Sequence, residues 1–413
     1  MSSLIHQTRW RHVANPRRTT DTLIGERQRA VLNPQALHMA QTEIRRWPGY
    51  APTPLVGLDG LAKACGVAVI DYKDEAERFS LKSFKALGGA YAVLRLIKRR
   101  LGEAVTSDAL MRGEYRTALE GLTVCCATDG NHGRSVAWGA SQFGVRCVIY
   151  LHATVSEGRE QAIADFGAEI RRVPGNYDDS VRQAAEDAAE YGWCVVSDTS
   201  YPGYMDVPRD VMQGYSVMVD EAVAQMRQPP THCFVQGGVG GLAAATLAQL
   251  WEAYGAERPR LVVVEPERAA CLLASAEAGR PVAVEGELDT LMAGLACGEV
   301  SLLAWEVLDE GVDDYVAVSD EAAVEVMQLL AAGVAGDSPL VAGESAVAGL
   351  AGLLIAQQDP ELGARLGLTA ESRVLLIGSE GATDDDVYRE LVGSSADEVR
   401  SGRFRAREVG HVS

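Results

Sequence analysis

From about Val67 onward the chain alternates short apolar, β-branched runs with longer segments whose apolar residues recur at helical spacing. Strands joined by crossover helices in a parallel sheet produce that pattern. The runs AVIDYK, TVCCAT, RCVIYL, EIRRV, CVVSDT, HCFVQ, RLVVVE and RVLLIG are the predicted strands. Between them the helical period predicts helices over 85–100, 133–143, 158–166, 177–191, 209–225 and 240–254. The repeated order of strand then helix predicts an α/β fold. Four strand–helix units between Lys85 and Asp198 predict a small domain at 87–200, with 1–86 and 201–413 forming a larger one. Only the first twenty or so residues and the last ten have a composition that suits disorder. Ligands of such sheets bind outside the C-terminal ends of the strands. Three strands run into polar or glycine-rich tails there: TVCCAT into DGNHGR, HCFVQ into GGVGGL and RVLLIG into SEGATD.

Composition narrows the partners. At 413 residues, 47% of them hydrophobic, the chain is long enough for two or three domains. Its formal charge of -19 excludes nucleic acid and anionic membrane as partners, since either polyanion is repelled over much of the surface. The apolar runs at 234–250 and 340–356 are interrupted by Gly, Gln, Glu and Ser, which fits buried helices and no membrane span. The first twenty residues lack the apolar stretch of a signal peptide, and Arg17-Arg18 makes a poor twin-arginine signal, so a cytoplasmic location is expected. The eight cysteines form no C-x-x-C pair and no zinc-finger spacing, so no metal site is expected. Most lie in apolar segments as small core hydrophobes, whereas Cys271 and Cys297 lie outside them and leave a disulfide open.

Chemistry concentrates in three segments. Lys85 opens a predicted helix after a polar connection. The positive helix end there favours the neutral amine and hence condensation with an aldehyde. Lys73, Lys82 and Lys98 are expected to be ordinary solvated lysines. In Gln236-Gly-Gly-Val-Gly-Gly-Leu, four glycines between a buried strand and a helix let backbone N–H groups converge on an anion, a phosphate cradle. Tight packing or a nucleotide site are the alternatives, although no Lys-Ser/Thr follows as in a Walker loop and no ribose acid is evident. The segment Ala127-Thr-Asp-Gly-Asn-His-Gly-Arg places an acid, an amide and an imidazole on one turn ahead of a helix.

These three segments, in this order, resemble the fold-type-II pyridoxal 5'-phosphate (PLP) enzymes, the tryptophan synthase β and threonine dehydratase family. The blocks YKDEAERFSLKSFKALGGAYAV, ATDGNHGRSVAWGA, SDTSYPGY with MQGY, VEPERAAC, MAGLACGE and GESAVAGL resemble one branch, the diaminopropionate ammonia-lyases, over about residues 50–390. Serine and threonine dehydratases carry Ser or Thr ahead of the G-N-H turn, where Asp129 stands here. The resemblance implies two parallel-sheet α/β domains with PLP in the cleft between them, a homodimer, and a small amino-acid substrate. It implies Lys85 as the Schiff-base lysine and general base, and Asn131 as hydrogen-bond partner of the cofactor's 3′-oxygen. Gly237, Gly238, Val239, Gly240 and Gly241 would bind the phosphate through backbone amides, and Ser379 would face the pyridine nitrogen. Asp129 and Asp198 would face the substrate, one exchanging a proton at Cα or the leaving amine, the other holding the β-ammonium. For either acid a helix or turn cap is the alternative. Lys85 would deprotonate one enantiomer and Asp129 the other, the D-isomer. His132 and Arg134 would orient the loop.

Two segments depart from the branch. Tyr201-Pro202 stand where Trp and an acid are usual, and Ala382 where an acid is usual; both bear on the substrate and not on the cofactor. The implied activity is elimination of ammonia from 2,3-diaminopropionate, giving pyruvate and two ammonia. The alternative is a PLP-dependent dehydratase or β-replacement enzyme acting on serine, threonine or another β-substituted amino acid. A non-catalytic PLP-binding protein is disfavoured by the presence of Lys85 and Asp129 together.

Overall fold

The computed structural model describes residues 4–6, 9–19, 23–128 and 130–404. Its strands are β1 (Trp10–Ala14), β2 (Leu55–Gly57), β3 (Val69–Asp74), β4 (Thr123–Ala127), β5 (Arg146–His152), β6 (Glu169–Val173), β7 (Cys194–Val195), β8 (His232–Gln236), β9 (Arg260–Pro266), β10 (Asp314–Val318) and β11 (Arg373–Gly378). Among the described residues they form two sheets, ordered β1-β10-β9-β8-β11-β3-β2 and β6-β5-β4-β7. β4 to β7 fall within 87–200, and the strands of the larger sheet all fall outside it. The smaller sheet is parallel throughout. The larger is parallel at its centre but antiparallel at both edges, where β1 pairs β10 and β2 pairs β3. β8 and β10 are buried at every residue, as strands with helices on both faces must be.

The six predicted helices lie at Lys85–Leu101, Asn131–Phe143, Glu157–Ala164, Tyr177–Tyr191, Asp206–Gln225 and Gly241–Tyr254. The Lys85–Leu101 helix packs on the Asn131–Phe143 helix on one side and on the Asp206–Gln225 helix on the other. That approach depends on missing side chains: a Cβ on Gly139 would lie 2.6 Å from Ala90 Cα, and one on Gly214 only 2.2 Å from the Leu87 carbonyl oxygen. A continuous apolar cluster therefore runs from Val124, Cys126 and Ile149 of the smaller sheet, through Leu87 and Val93, to Leu261 and Val263 of the larger.

Three expectations need correction. Residues 10–14, within the stretch whose composition suits disorder, form β1, because long-range pairing orders them: each stands in register opposite a residue of β10, and His12 Nε2 meets Asp314 Oδ1 at 2.9 Å. At the other end, residues 405–413 lie outside the described residues. Lys73 is fully buried, with its ammonium donating to Thr53 O at 2.7 Å, Glu221 Oε2 at 2.8 Å and Gln225 Oε1 at 2.9 Å. The buried Arg78 guanidinium adds bonds to Glu75 and Glu221, so two cations and two acids compensate one another away from water. Lys98 is buried as well, 2.7 Å from Glu43. The pairing left open for Cys271 and Cys297 is decided against: no disulfide joins them, and Cys271 is buried with its thiol toward Gly238 O at 3.4 Å.

Candidate active site

Lys85 is the first residue of its helix, and the backbone leading to it is unusual. Phe79, Ser80 and Lys82 all take left-handed φ (51°, 59° and 57°), a costly conformation for residues with a Cβ. The segment is fastened to the tail of β11, since Phe84 N–H donates to Ser379 O at 3.0 Å and Gly381 N–H to Lys82 O at 3.0 Å. Ser135, on the Asn131–Phe143 helix, donates its hydroxyl to Lys85 O at 2.6 Å and accepts from Ala90 N–H at 3.1 Å. Lys85 Nζ thereby points at Asp198, 2.5 Å from Oδ2, between the rings of Phe84 (5.7 Å) and Tyr215 (5.9 Å).

The charge state follows from this pair. Burial works against the Lys85 ammonium, but the adjacent Asp198 carboxylate outweighs it and holds the amine above its ordinary range. Burial likewise opposes the Asp198 anion, and the Lys85 ammonium overcomes it, holding the carboxyl below its ordinary range. The expectation of a neutral Lys85 drawn from its helix end is thus corrected: the partner charge is nearer than the helix dipole is strong. One consequence is testable. Only the neutral amine condenses with an aldehyde, and Asp198→Asn removes the anion that keeps Lys85 protonated. Capture of PLP by the apoprotein, followed across neutral to alkaline pH, is expected to shift to lower pH in Asp198→Asn; an unshifted profile would contradict the pairing.

Asp198 lies in the turn after β7. CVVSDT was expected to be extended throughout, yet the last bond to β4 is Val196 N–H to Cys125 O at 2.8 Å, and the following residues turn to bond one another and Tyr204. Asp198 is accordingly not a helix cap. Behind it, the buried His132 sets Nε2 at 2.8 Å from Val196 O. A carbonyl only accepts, so Nε2 carries the proton, and burial depresses the pKa and keeps the ring neutral. His132 Nδ1 then faces Asp198 at 3.9 Å.

Asp129 lies outside the described residues. The turn on either side of it is held by Thr128 Oγ1, which accepts from Gly130 N–H at 3.1 Å and Gly133 N–H at 3.2 Å. Asn131 opens the next helix and donates its amide to Glu380. Sequence reasoning passed over Glu380, which follows Ser379 directly in the strand tail. Its other oxygen accepts from Ser345 N–H at 3.0 Å. Burial raises its pKa, and burial and the charge of Glu380 raise that of the neighbouring Glu344. Ser379 is 4% exposed, and its hydroxyl accepts weakly from Gln236 at 3.4 Å, which leaves its own proton available to a further acceptor.

The glycine loop joins β8 to the Gly241–Tyr254 helix, with Gly238 at φ +66° and Gly240 at φ +98°. Gly237 needs correction as a phosphate donor: its N–H is used in the sheet, bonded to Val264 O at 2.9 Å, and a Cβ there would lie 2.4 Å from Glu265 Cγ. Among the described residues, nothing accepts from the N–H groups of Gly238, Val239, Gly240 or Gly241. They stand at the start of a 14-residue helix whose first turn has no acidic residue, which suits an anion.

A primary amine at Lys85, an amide at Asn131, a hydroxyl at Ser379 and a run of unpartnered N–H groups match in kind the aldehyde, 3′-oxygen, ring nitrogen and phosphate of pyridoxal phosphate. The described residues contain no cluster of His, Cys, Asp and Glu suited to a metal, and no helix among them is long and apolar enough to cross a membrane.

Known proteins agree with this donor set. The model of the pyridoxal-phosphate dependent enzyme family matches residues 46–379. The diaminopropionate ammonia-lyase of Escherichia coli strain K12 is 40% identical over 351 residues, 83% of this chain and 88% of that protein. Two solved structures of the Escherichia coli diaminopropionate ammonia lyase, the holo form and the complex with D-serine, superpose with a TM-score of 0.86 at 36% identity over 94% of this chain, covering 97% and 98% of theirs. With lysine, asparagine turn and glycine loop in the family's order, the chain belongs to the pyridoxal-phosphate-dependent enzymes, in the diaminopropionate ammonia-lyase family.

Proposed function

We propose that this chain eliminates ammonia from 2,3-diaminopropionate, giving pyruvate and two ammonia, and that it works as a cytoplasmic homodimer. The observation that carries the substrate reading is the contact of Lys85 Nζ with Asp198 Oδ2 at 2.5 Å. A mostly buried carboxylate, kept ionised, already holds a primary ammonium. Once Lys85 is committed to the cofactor, Asp198 is left to accept another ammonium, and the β-ammonium of diaminopropionate is one. Serine and threonine present a neutral hydroxyl that gains far less from such a carboxylate, which disfavours the dehydratase alternative.

Bound pyridoxal phosphate supplies the electron sink that makes the substrate's Cα–H removable. The residues of the chain do the rest. Lys85 attaches the cofactor and takes the Cα proton from one face, and Asp129 takes it from the other. Asp198 orients the β-ammonium. Asn131, fixed by Glu380, holds the 3′-oxygen. The N–H groups of Gly238, Val239, Gly240 and Gly241 hold the phosphate, with Gly237 shaping the loop beneath them. Ser379 offers the ring nitrogen a neutral hydroxyl, so that nitrogen need not be protonated.

The cradle gives one test. A Cβ on Gly240 would press on Leu308 at 3.0 Å and Ala304 at 3.1 Å, so a bulky residue there would disturb the packing beneath the loop as well as the phosphate. Gly238→Ala is cleaner: its Cβ meets nothing closer than 3.5 Å, yet φ +66° costs an L-residue about 1 kcal/mol or more, and relaxing it turns the N–H donors. The variant is expected to fold and to lose about tenfold in PLP affinity. Equal affinity would place the phosphate elsewhere. The substrate reading is tested by Asp198→Asn, expected to raise KM for diaminopropionate at least about tenfold.

A further inference from the structure

The turn that presents Asp198 is held at its root and at its tip by hydroxyl groups. At the root, Ser197 N–H donates to the Tyr204 hydroxyl oxygen at 2.9 Å, and the same hydroxyl donates to Val195 O at 2.9 Å. The Tyr204 ring is stacked on Tyr201 at 4.9 Å, and the two residues bond backbone to backbone around Pro202-Gly203, with Gly203 at φ +87°. At the tip, the buried Ser200 donates its N–H to Ser301 Oγ at 3.1 Å, and the two hydroxyls lie 2.7 Å apart. Ser200 Oγ and O in turn accept from Leu303 N–H at 2.8 Å and Leu302 N–H at 3.2 Å, tying the turn to the first residues of the Leu302–Gly311 helix. Ser301, fully buried, also donates its N–H to Val239 O at 3.0 Å. The turn is therefore tied at its tip to the glycine loop.

We infer that Tyr204 and Ser301 are positioning residues that preset Asp198 for the substrate's β-ammonium and so set the preference for a diamino acid over a hydroxy acid. This rests on the reading of Asp198 as the β-ammonium partner. An ion pair with one geometry is strong only if the carboxylate is already oriented; a turn free to move pays that ordering on each binding event. Neither hydroxyl lies on Lys85, Asn131 or the N–H groups of the cradle, so cofactor retention is not their task.

Tyr204→Phe keeps the ring and its stacking and removes only the clasp. In the PLP-loaded enzyme it is expected to raise KM for diaminopropionate about tenfold, while the inhibition constant of D-serine, which has no β-ammonium, changes less than about twofold and PLP content is unchanged. Hydrogen exchange of the amides in 195–204 is expected to quicken. Ser301→Ala is expected to do the same from the other end, and carries the test should Tyr204→Phe fail to fold. An unchanged KM in both variants, or a parallel rise of KM and of the D-serine constant, overturns the inference. Asp198→Asn separates its failure from that of the underlying reading. If Asp198→Asn leaves the ratio of the two constants unaltered, Asp198 is not the β-ammonium partner; if it alters the ratio and the clasp variants do not, the clasp is at fault.

Discussion

Lys85→Ala is expected to yield a folded protein that retains no covalently attached PLP and turns over diaminopropionate at least about 10⁴-fold more slowly, since one change removes both the cofactor's anchor and a general base. The surroundings explain why no other lysine substitutes. Lys73 is enclosed by Thr53, Glu221 and Gln225, Lys98 is buried against Glu43, and Lys82 is paired with Asp385 at 2.9 Å. The Asp198 carboxyl, deprived of its ammonium, is expected to rise in pKa, because burial opposes its anion and Lys85 is a main force that now offsets it. Visible absorbance and borohydride reduction read the first effect directly. A borohydride-reducible cofactor in folded Lys85→Ala would mean that a different lysine carries it.

The second large effect is expected at Asp129. It follows β4 in sequence, between Thr128 and Gly130, whereas Lys85 lies in a segment fastened to β11. On the proposed two-base reading, Lys85 and Asp129 address the two faces of one bound substrate, so that a single site deprotonates both enantiomers. Asp129→Asn keeps size and hydrogen bonding and cannot accept the proton. The D-isomer is expected to lose about 10²–10⁴-fold in kcat, with the L-isomer far less affected and PLP still bound. Equal losses on both enantiomers would reduce Asp129 to a binding or capping role.

Much of this was legible in the sequence because the chemistry sits where strand patterns end. In the smaller sheet β4 and β5, and in the larger the central strands β8, β9 and β11, show as apolar runs, since parallel strands buried on both faces must be apolar throughout. β1 escaped because it is a polar edge strand, half-exposed, whose order comes from pairing with a partner three hundred residues away. The glycine loop was legible as a cradle, but the loss of Gly237 to Val264 was not, since it depends on which strand lies alongside. The same holds for Lys85 and Asp198. Helix position favoured a neutral amine, and only the folded chain brings residue 198 to within 2.5 Å of it. Glu380 went unremarked because a glutamate in a strand tail has no spacing signature, and its bond to Asn131 joins segments about 250 residues apart.

The most direct test of the central claim is the initial rate of pyruvate formation by the PLP-loaded enzyme on D- and L-diaminopropionate, serine and threonine, with ammonia measured in the same reactions. Diaminopropionate is expected to give the highest kcat/KM, releasing two ammonia for each pyruvate. Faster turnover of serine or threonine, or consumption of diaminopropionate without pyruvate, would contradict it.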